Sequence, residues 1–470
     1  MRHTLSAMAI VALLGGCGGG DGSGGTIGGG GADSSVPIGS GIGTPACSSL
    51  ALREFVFDQM LDWYLFQELL PPGVTPASEP TPQALVDRMA GPARIAGFDR
   101  FFSGVTTITS DQAFFGEGQF DGFGFGWRET IVEGVPIVRI TQVIPDSPAE
   151  AGGLARGQRI VALDGQALAS ASALSQRLSA TPSGGSVVFT LRDPDGSEVQ
   201  GTVTRGLVTT IPVVCRDCDP DGPRVLVFER EGLPAIGYLD FRSFISTAAP
   251  ALNDAFVFLR GQNVTDLVID VRYNGGGLVS IAKQLGDLIG GLTAQDEIFS
   301  ELVFNPARNR EIPSGERIDR FSALPGSLIP STVVFITTSQ SASASELMIN
   351  GLAPHVDVRV VGSPTFGKPV GQVGRALRAC DLLLRPVAFL TVNSLREGDY
   401  FSGLPVDCQA DDDLDHPLGD PREASLATAL ALIETGSCEL PVAETGMRFA
   451  LAPPEYETGA SHAVIYLNVY

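Results

Sequence analysis

A serine-rich turn and a single lysine are the residues of this chain best suited to covalent chemistry. The turn reads Ser-Gln-Ser-Ala-Ser-Ala-Ser-Glu from Ser339 to Glu346, and the lysine stands in Thr365-Phe366-Gly367-Lys368. A serine hydroxyl becomes a nucleophile when a base takes its proton. A lysine can be that base once burial has lowered its pKa. Arginine cannot, because its pKa stays above roughly 12. The chain has 31 Lys+Arg, of which only Lys283 and Lys368 are lysines. A bias towards arginine explains that scarcity but not the lysine of a Thr-Phe-Gly-Lys turn. The 4 histidines, His3, His355, His416 and His462, sit in no recognisable catalytic motif, so a Ser-His-Asp triad has little support.

The serine also has a plainer reading. Ser343-Ala344-Ser345-Glu346 is a capping box, and Ser343 could simply cap a helix. The two roles are compatible, because a helix start offers free N–H groups and a favourable dipole to a developing anion.

The elements that must position these residues alternate between strand and helix. Val333-Val334-Phe335-Ile336 reads as a buried strand, Glu346–Asn350 as a helix, and Val358–Val361 as a second strand. Parallel pairing of the two strands would bring serine and lysine together. Upstream, Asp266–Arg272 is another buried strand, ending in Asn274-Gly275-Gly276-Gly277. Glycines there let the backbone approach a substrate closely. A phosphate cradle is disfavoured, because the GxxxxGK[ST] of a P-loop is missing. Together these elements predict a largely parallel α/β core.

These motifs resemble those of the C-terminal processing (tail-specific) peptidase family, which has Ser-Ala-Ser-Ala-Ser-Glu and Thr-Phe-Gly-Lys. The resemblance places the nucleophile on Ser343, the general base on Lys368 and an auxiliary glutamine on Gln372. It implies an oxyanion hole from the N–H groups of Gly276, with Gly277 as second choice, and Ala344. The family usually has Asn-Pro-Gly-Gly where this chain has Asn274-Gly275-Gly276-Gly277. The fold implied is a crotonase/Clp-like catalytic core with an inserted or preceding PDZ domain and a small N-terminal helical unit. The activity implied is that of a serine endopeptidase cutting exported proteins near their C-termini, with no cofactor and no metal.

Residues 119–207 resemble a PDZ domain. Gly122-Phe123-Gly124-Phe125 stands at the carboxylate-binding loop, with Phe123 and Phe125 expected to line an apolar side-chain pocket. Backbone N–H groups of such a turn can hold a chain-terminal carboxylate while the peptide adds a strand to the sheet edge. The expected partners are therefore protein or peptide substrates with free C-termini.

The remaining segments complete the organisation. Residues 1–17 read as a lipoprotein signal peptide, with Leu14-Gly15-Gly16-Cys17 as lipobox and Cys17 as the lipidated residue. The implied location is the bacterial cell envelope, lipid-anchored at the outer membrane and facing the periplasm. Residues 18–46 are a glycine-rich tether expected to be disordered, and 47–118 a helical unit in which Pro71-Pro72 stops the first run. Residues 208–438 form the catalytic domain and 439–470 a tail with an edge strand over 463–467. The stretch 383–393 reads as one strand, and the acidic group Asp411, Asp412, Asp413 and Asp415 as a solvated loop.

The formal net charge of −22 argues against nucleic acid and against membrane contact other than through the lipid. Setting Cys17 aside, six cysteines suggest structural bridges, with Cys380–Cys408 the expected pair. Oligomeric state is not legible. The alternative from a different class is a catalytically inactive, lipid-anchored binding protein on the same fold.

Overall fold

The computed structural model describes residues 47–215 and 224–439. Cys17, the tether, Cys218 and the expected strand at 463–467 lie outside the described residues.

The central sheet has seven strands among the described residues. Leu233–Phe241, Asp266–Asp270, Thr332–Thr337, Val358–Gly362 and Cys408–Gln409 run parallel in that order. Val213–Val214 and Leu226–Arg230 pair antiparallel with Leu233–Phe241. The central strands are apolar on both faces because both faces are covered, as parallel sheets require. One side is covered by Ala248–Gly261, Val279–Gly290 and Ala344–Leu352; Ala424–Thr435 packs on the other. All nine residues of Ala344–Leu352 are buried, so its polar residues Ser345, Glu346 and Asn350 find their partners inside the protein.

A second, antiparallel sheet orders Ile318–Arg320, Ile298–Phe304, Val387–Val392 and Val370–Gln372. The stretch expected as one strand over 383–393 is two. Leu382–Arg385 and Val387–Val392 belong to different sheets, separated at Pro386, which has no N–H to give a ladder.

The N-terminal unit contains helices Ser49–Trp63 and Pro82–Ile95, but also a strand, Gly104–Thr106, paired with Leu382–Arg385. Apolar periodicity continues past Trp63, yet the helix stops there. Tertiary contacts win: Leu65 N–H donates to the Val387 carbonyl at 2.8 Å, and Tyr64 turns inward so that its hydroxyl reaches Asp99 at 2.9 Å. Val56, Met60, Leu85 and Val86 share a core with Val370, Leu384 and Val387.

Between the N-terminal unit and the central sheet, the chain enters and leaves the PDZ-like region through paired strands, Gln119–Gly122 against Gly206–Thr209. Within the region the sheet orders Phe125–Val132, Val135–Val143, Arg159–Leu163, Ser186–Arg192 and Glu198–Thr204. Phe125–Val132 is at the edge of that sheet, with helix Ala171–Ser179 alongside.

The expected Cys380–Cys408 bridge is wrong. Cys380 pairs with Cys47 and Cys408 with Cys438. The sheets explain why. Cys408 lies on the parallel sheet beside Val361, under helix Ala424–Thr435, whose C-terminal turn at Gly436 returns the chain towards it. Cys380 is on a hairpin turn of another sheet, facing the start of helix Ser49–Trp63. Non-reducing peptide mapping should recover the pairs 47–380 and 408–438. Replacing Cys47 and Cys380 by serine should lower unfolding free energy by about 2–4 kcal/mol in a denaturant titration.

Candidate active site

The site is built where strand Thr332–Thr337 meets helix Ala344–Leu352. Ser343 sits at that junction with φ 57° and ψ −113°, a conformation costly for a residue with a Cβ. Such a turn lifts the side chain out of both the strand and the helix, a geometry also used by nucleophile elbows. The neighbouring serines have other tasks. Ser341 Oγ donates to the Val271 carbonyl at 2.8 Å and Ser345 Oγ to the Asn274 carbonyl at 2.9 Å, and both residues are fully buried. Ser343 is the partly exposed serine of the three.

Glu346 holds the site together. It is fully buried. One carboxylate oxygen accepts from the N–H groups of Ser343 and Lys368, both at 2.8 Å. The other accepts from Gly367 N–H and Thr365 Oγ, both at 2.6 Å. A single oxygen bonding both backbones sets Ser343 and Lys368 side by side. Burial raises the Glu346 carboxyl above its ordinary value, against the pull of these four donors. The capping box was legible in sequence; the lysine half of the arrangement was not, since it is made across the sheet.

Lys368 Nζ donates to Gln372 Oε1 at 3.4 Å, and it lies 4.7 Å from the centre of the Phe102 ring. Burial lowers its pKa to about 8, with Arg385 lowering it further and the charges of Asp99 and Glu346 opposing. Gln372 Nε2 in turn donates to the Phe102 carbonyl. Gly367 needs its positive φ of 90°, since a Cβ would fall 2.4 Å from the Phe401 carbonyl oxygen. Among the described residues Lys368 and Ser343 share no hydrogen bond; catalytic hydrogen bonds are commonly long before substrate binds.

The glycine turn lies against the serine. A Cβ on Gly276 would come within 2.8 Å of Ser343 Cβ and of the Ala344 nitrogen. Gly276 itself is not the free donor expected from sequence, because its N–H already donates to Asn274 Oδ1 at 2.9 Å. The N–H groups of Gly277 and Ala344 have no acceptor among the described residues. Asn274 ties the two turns together, since its carbonyl accepts from Ala342 N–H at 3.0 Å as well as from Ser345.

The glycine turn is also held from outside the catalytic core. Arg272, fully buried, forks onto Asp270 and reaches Glu423 at 2.6 Å. The next residue, Tyr273, donates to Asp412 and accepts from Arg156 of the PDZ-like region at 2.8 Å. Arg156 and Arg128 both pair with Asp412. The acidic segment expected to be solvated is therefore partly interior. Burial alone would raise the Asp412 carboxyl, yet Arg272, Arg156 and Arg128 hold it below its ordinary value. Arginines leave their partners in sequence unmarked, so nothing in the Asp-rich string announced this.

In the PDZ-like loop, Gly124 has φ 87°, and a Cβ there would fall 2.3 Å from Ser147 Cβ. The Phe123 and Gly124 carbonyls are used by Ala149 and Ile144, while the N–H groups of Phe123 and Gly124 have no acceptor among the described residues. Gly122 ends the entry strand. Phe123 does not line a pocket; it is 4% exposed and belongs to the domain core. Phe125 is partly buried on the edge strand, against Trp127 and Phe189.

Comparison with known proteins agrees with this geometry. Residues 235–389 match the model of peptidase family S41, and residues 139–193 match a PDZ domain. A chloroplastic C-terminal processing peptidase of Tetradesmus obliquus is 29% identical over 238 residues, 48% of this chain and 47% of that protein. A carboxy-terminal-processing protease of Bartonella bacilliformis is 27% identical over 276 residues, 56% of each. The chain spans about half the length of the curated relatives it matches. Among solved structures, a Bacteroides fragilis protein assigned to the S41 proteases shares the fold with a TM-score of 0.61 at 21% identity, covering 82% of this chain and 97% of that one. By these matches, residues 235–389 are similar to peptidase family S41, the family named for the carboxyl-terminal-processing relatives, and residues 139–193, which precede them, to a PDZ domain.

Proposed function

We propose that the chain is a serine endopeptidase with a Ser343–Lys368 dyad, cutting exported proteins near C-termini captured by its PDZ domain. The observation that carries this reading is the shared carboxylate oxygen of Glu346, which sets the backbones of Ser343 and Lys368 against each other. Neutral Lys368 takes the Ser343 hydroxyl proton as Oγ attacks the peptide carbonyl. The lysine then delivers that proton to the leaving amine, and water hydrolyses the acyl-enzyme by the same route. Gln372 keeps one lysine hydrogen occupied and so directs the nitrogen lone pair elsewhere.

Ala344 N–H is one oxyanion donor. The second is Gly277 N–H, unless Gly276 exchanges Asn274 for substrate. Each donor contributes roughly 3–4 kcal/mol to transition-state stabilisation.

The open edge of strand Phe125–Val132 and the free N–H groups of Phe123 and Gly124 suit a peptide added as a strand with its carboxylate in the loop. Attachment to the bacterial envelope through a lipidated Cys17, facing the periplasm, is part of the same proposal. Two disulfides among the described residues suit an oxidising compartment.

A disordered reporter with an apolar C-terminus tests the activity. Ser343→Ala should abolish cleavage, and Lys368→Ala should lower it by roughly 10²–10⁴-fold. A folded wild type that never cuts would overturn the enzyme reading in favour of the binding protein. Because the base must be neutral, kcat/KM should rise about tenfold per pH unit up to a limb near pH 8 and then level.

Glu346→Gln sets a buried NH₂ against backbone donors. It should destabilise the fold by about 3 kcal/mol in denaturant titration and cut turnover by roughly 10²-fold.

A further inference from the structure

The N-terminal unit reaches the base directly. The loop that leaves helix Pro82–Ile95 runs along the lysine turn, two of its residues grip that turn, and a third holds the loop in shape. Arg100 donates to the carbonyls of Phe366 and Gly367. Phe102 places its ring face 4.7 Å from Lys368 Nζ and offers its carbonyl to Gln372 Nε2. Asp99, fully buried, closes the loop on itself. It accepts from the N–H groups of Phe102 and Ser103 at 2.8 and 3.1 Å, from Ser103 Oγ at 2.6 Å and from the Tyr64 hydroxyl. Ser103 Oγ then accepts from Val387 N–H at 2.9 Å, on the strand that pairs with Gln372. Phe101, between Arg100 and Phe102, is held at φ 62°, which persists only where the surroundings fix it.

We propose that Phe102 and Asp99 are positioning residues for the Lys368 base. Phe102 acts through its ring and its carbonyl, and Asp99 by holding the loop shut. The inference rests on the Ser–Lys reading.

The physical argument concerns the two protonation states of the amine. A Gln372 amide whose NH₂ is taken by the Phe102 carbonyl must present its oxygen to Nζ. An oxygen there accepts an N–H from either form of the lysine, so the lone pair of the neutral form is turned away from Gln372. The ring face favours the ammonium that forms when the serine proton is taken. The charged groups around Nζ are Asp99 on this loop, Glu346 on helix Ala344–Leu352 and Arg385 on strand Leu382–Arg385. Arg100 spends its guanidinium on the two carbonyls beside the lysine.

The scarcity of lysine supplies the test. Full-length protein labelled at lysine Cε should give two NMR signals, from Lys283 and Lys368, and Lys283→Arg assigns them. Phe102→Leu keeps bulk but removes the ring face, so less ammonium is favoured. The Lys368 titration and the acid limb of kcat/KM should both move down by about half a pH unit. Phe102→Tyr should restore them, and Asp99→Asn should move them in the same direction as Phe102→Leu.

A loop with only a structural role would lower the rate equally at every pH and leave the Lys368 titration in place, which overturns the inference. If Lys368→Ala still cleaves, the Ser–Lys reading falls and takes this inference with it. If Lys368→Ala is dead while Phe102→Leu titrates like wild type, the positioning role alone is wrong. The NMR titration reads the effect even in a variant too slow to assay.

Discussion

A buried carboxylate with four donors is the constraint on which the rest of the site depends. Placing an ionised Glu346 in the interior costs several kcal/mol. Hydrogen bonds to a charged acceptor return about 1.5–3 kcal/mol each, so the arrangement is favourable only when all four are made. That condition fixes the strained Ser343 turn, the positive φ of Gly367 and the course of the chain into Lys368 together. The parallel pairing of Thr332–Thr337 with Val358–Gly362 supplies the coarse placement, and the glutamate supplies the fine one.

The same logic operates at the glycine turn on a larger scale. Arg272 and Asp412 are interior charges, each engaged by partners from more than one segment. Removing one partner of such a pair leaves a charge buried and uncompensated, at a cost of about 3–5 kcal/mol. The PDZ domain enters this network through Arg128 and Arg156, and Arg156 touches the tyrosine next to the glycines. The PDZ-like region and the glycine turn are thus joined by polar contacts that are specific in geometry. Movement of the region away from this position would break the charged pairs of Arg128 and Arg156 with Asp412.

How much of this was legible in the sequence follows from the range of each interaction. The parallel core was readable from Val333–Ile336 and Val358–Val361, because local apolar runs report burial directly. Turn chemistry and the rarity of lysine singled out Ser343 and Lys368, which the structure places side by side. Gly276 was half readable: the glycines mark close approach, but which N–H stays free depends on where the Asn274 amide points. Phe102 and Asp99 were invisible, since their meaning comes from a strand nearly three hundred residues away. The cysteine pairing failed for the same reason. Counting cysteines gives parity, whereas partners are set by which sheet each one rides on.

The Cys47–Cys380 link has a consequence for biosynthesis. Its two ends are separated by 333 residues. At roughly 5–20 residues per second, the ribosome needs on the order of tens of seconds to go from one to the other. Throughout that interval the apolar face of the first two helices lacks the strands carrying Val370, Leu384 and Val387 that cover it. The loop holding Asp99 and Phe102 is likewise made long before the lysine it faces. A nascent chain therefore carries an exposed apolar surface until those strands have been made, and the surroundings of Lys368 are assembled no earlier. The first segment must therefore be shielded until residues 370–387 have been made.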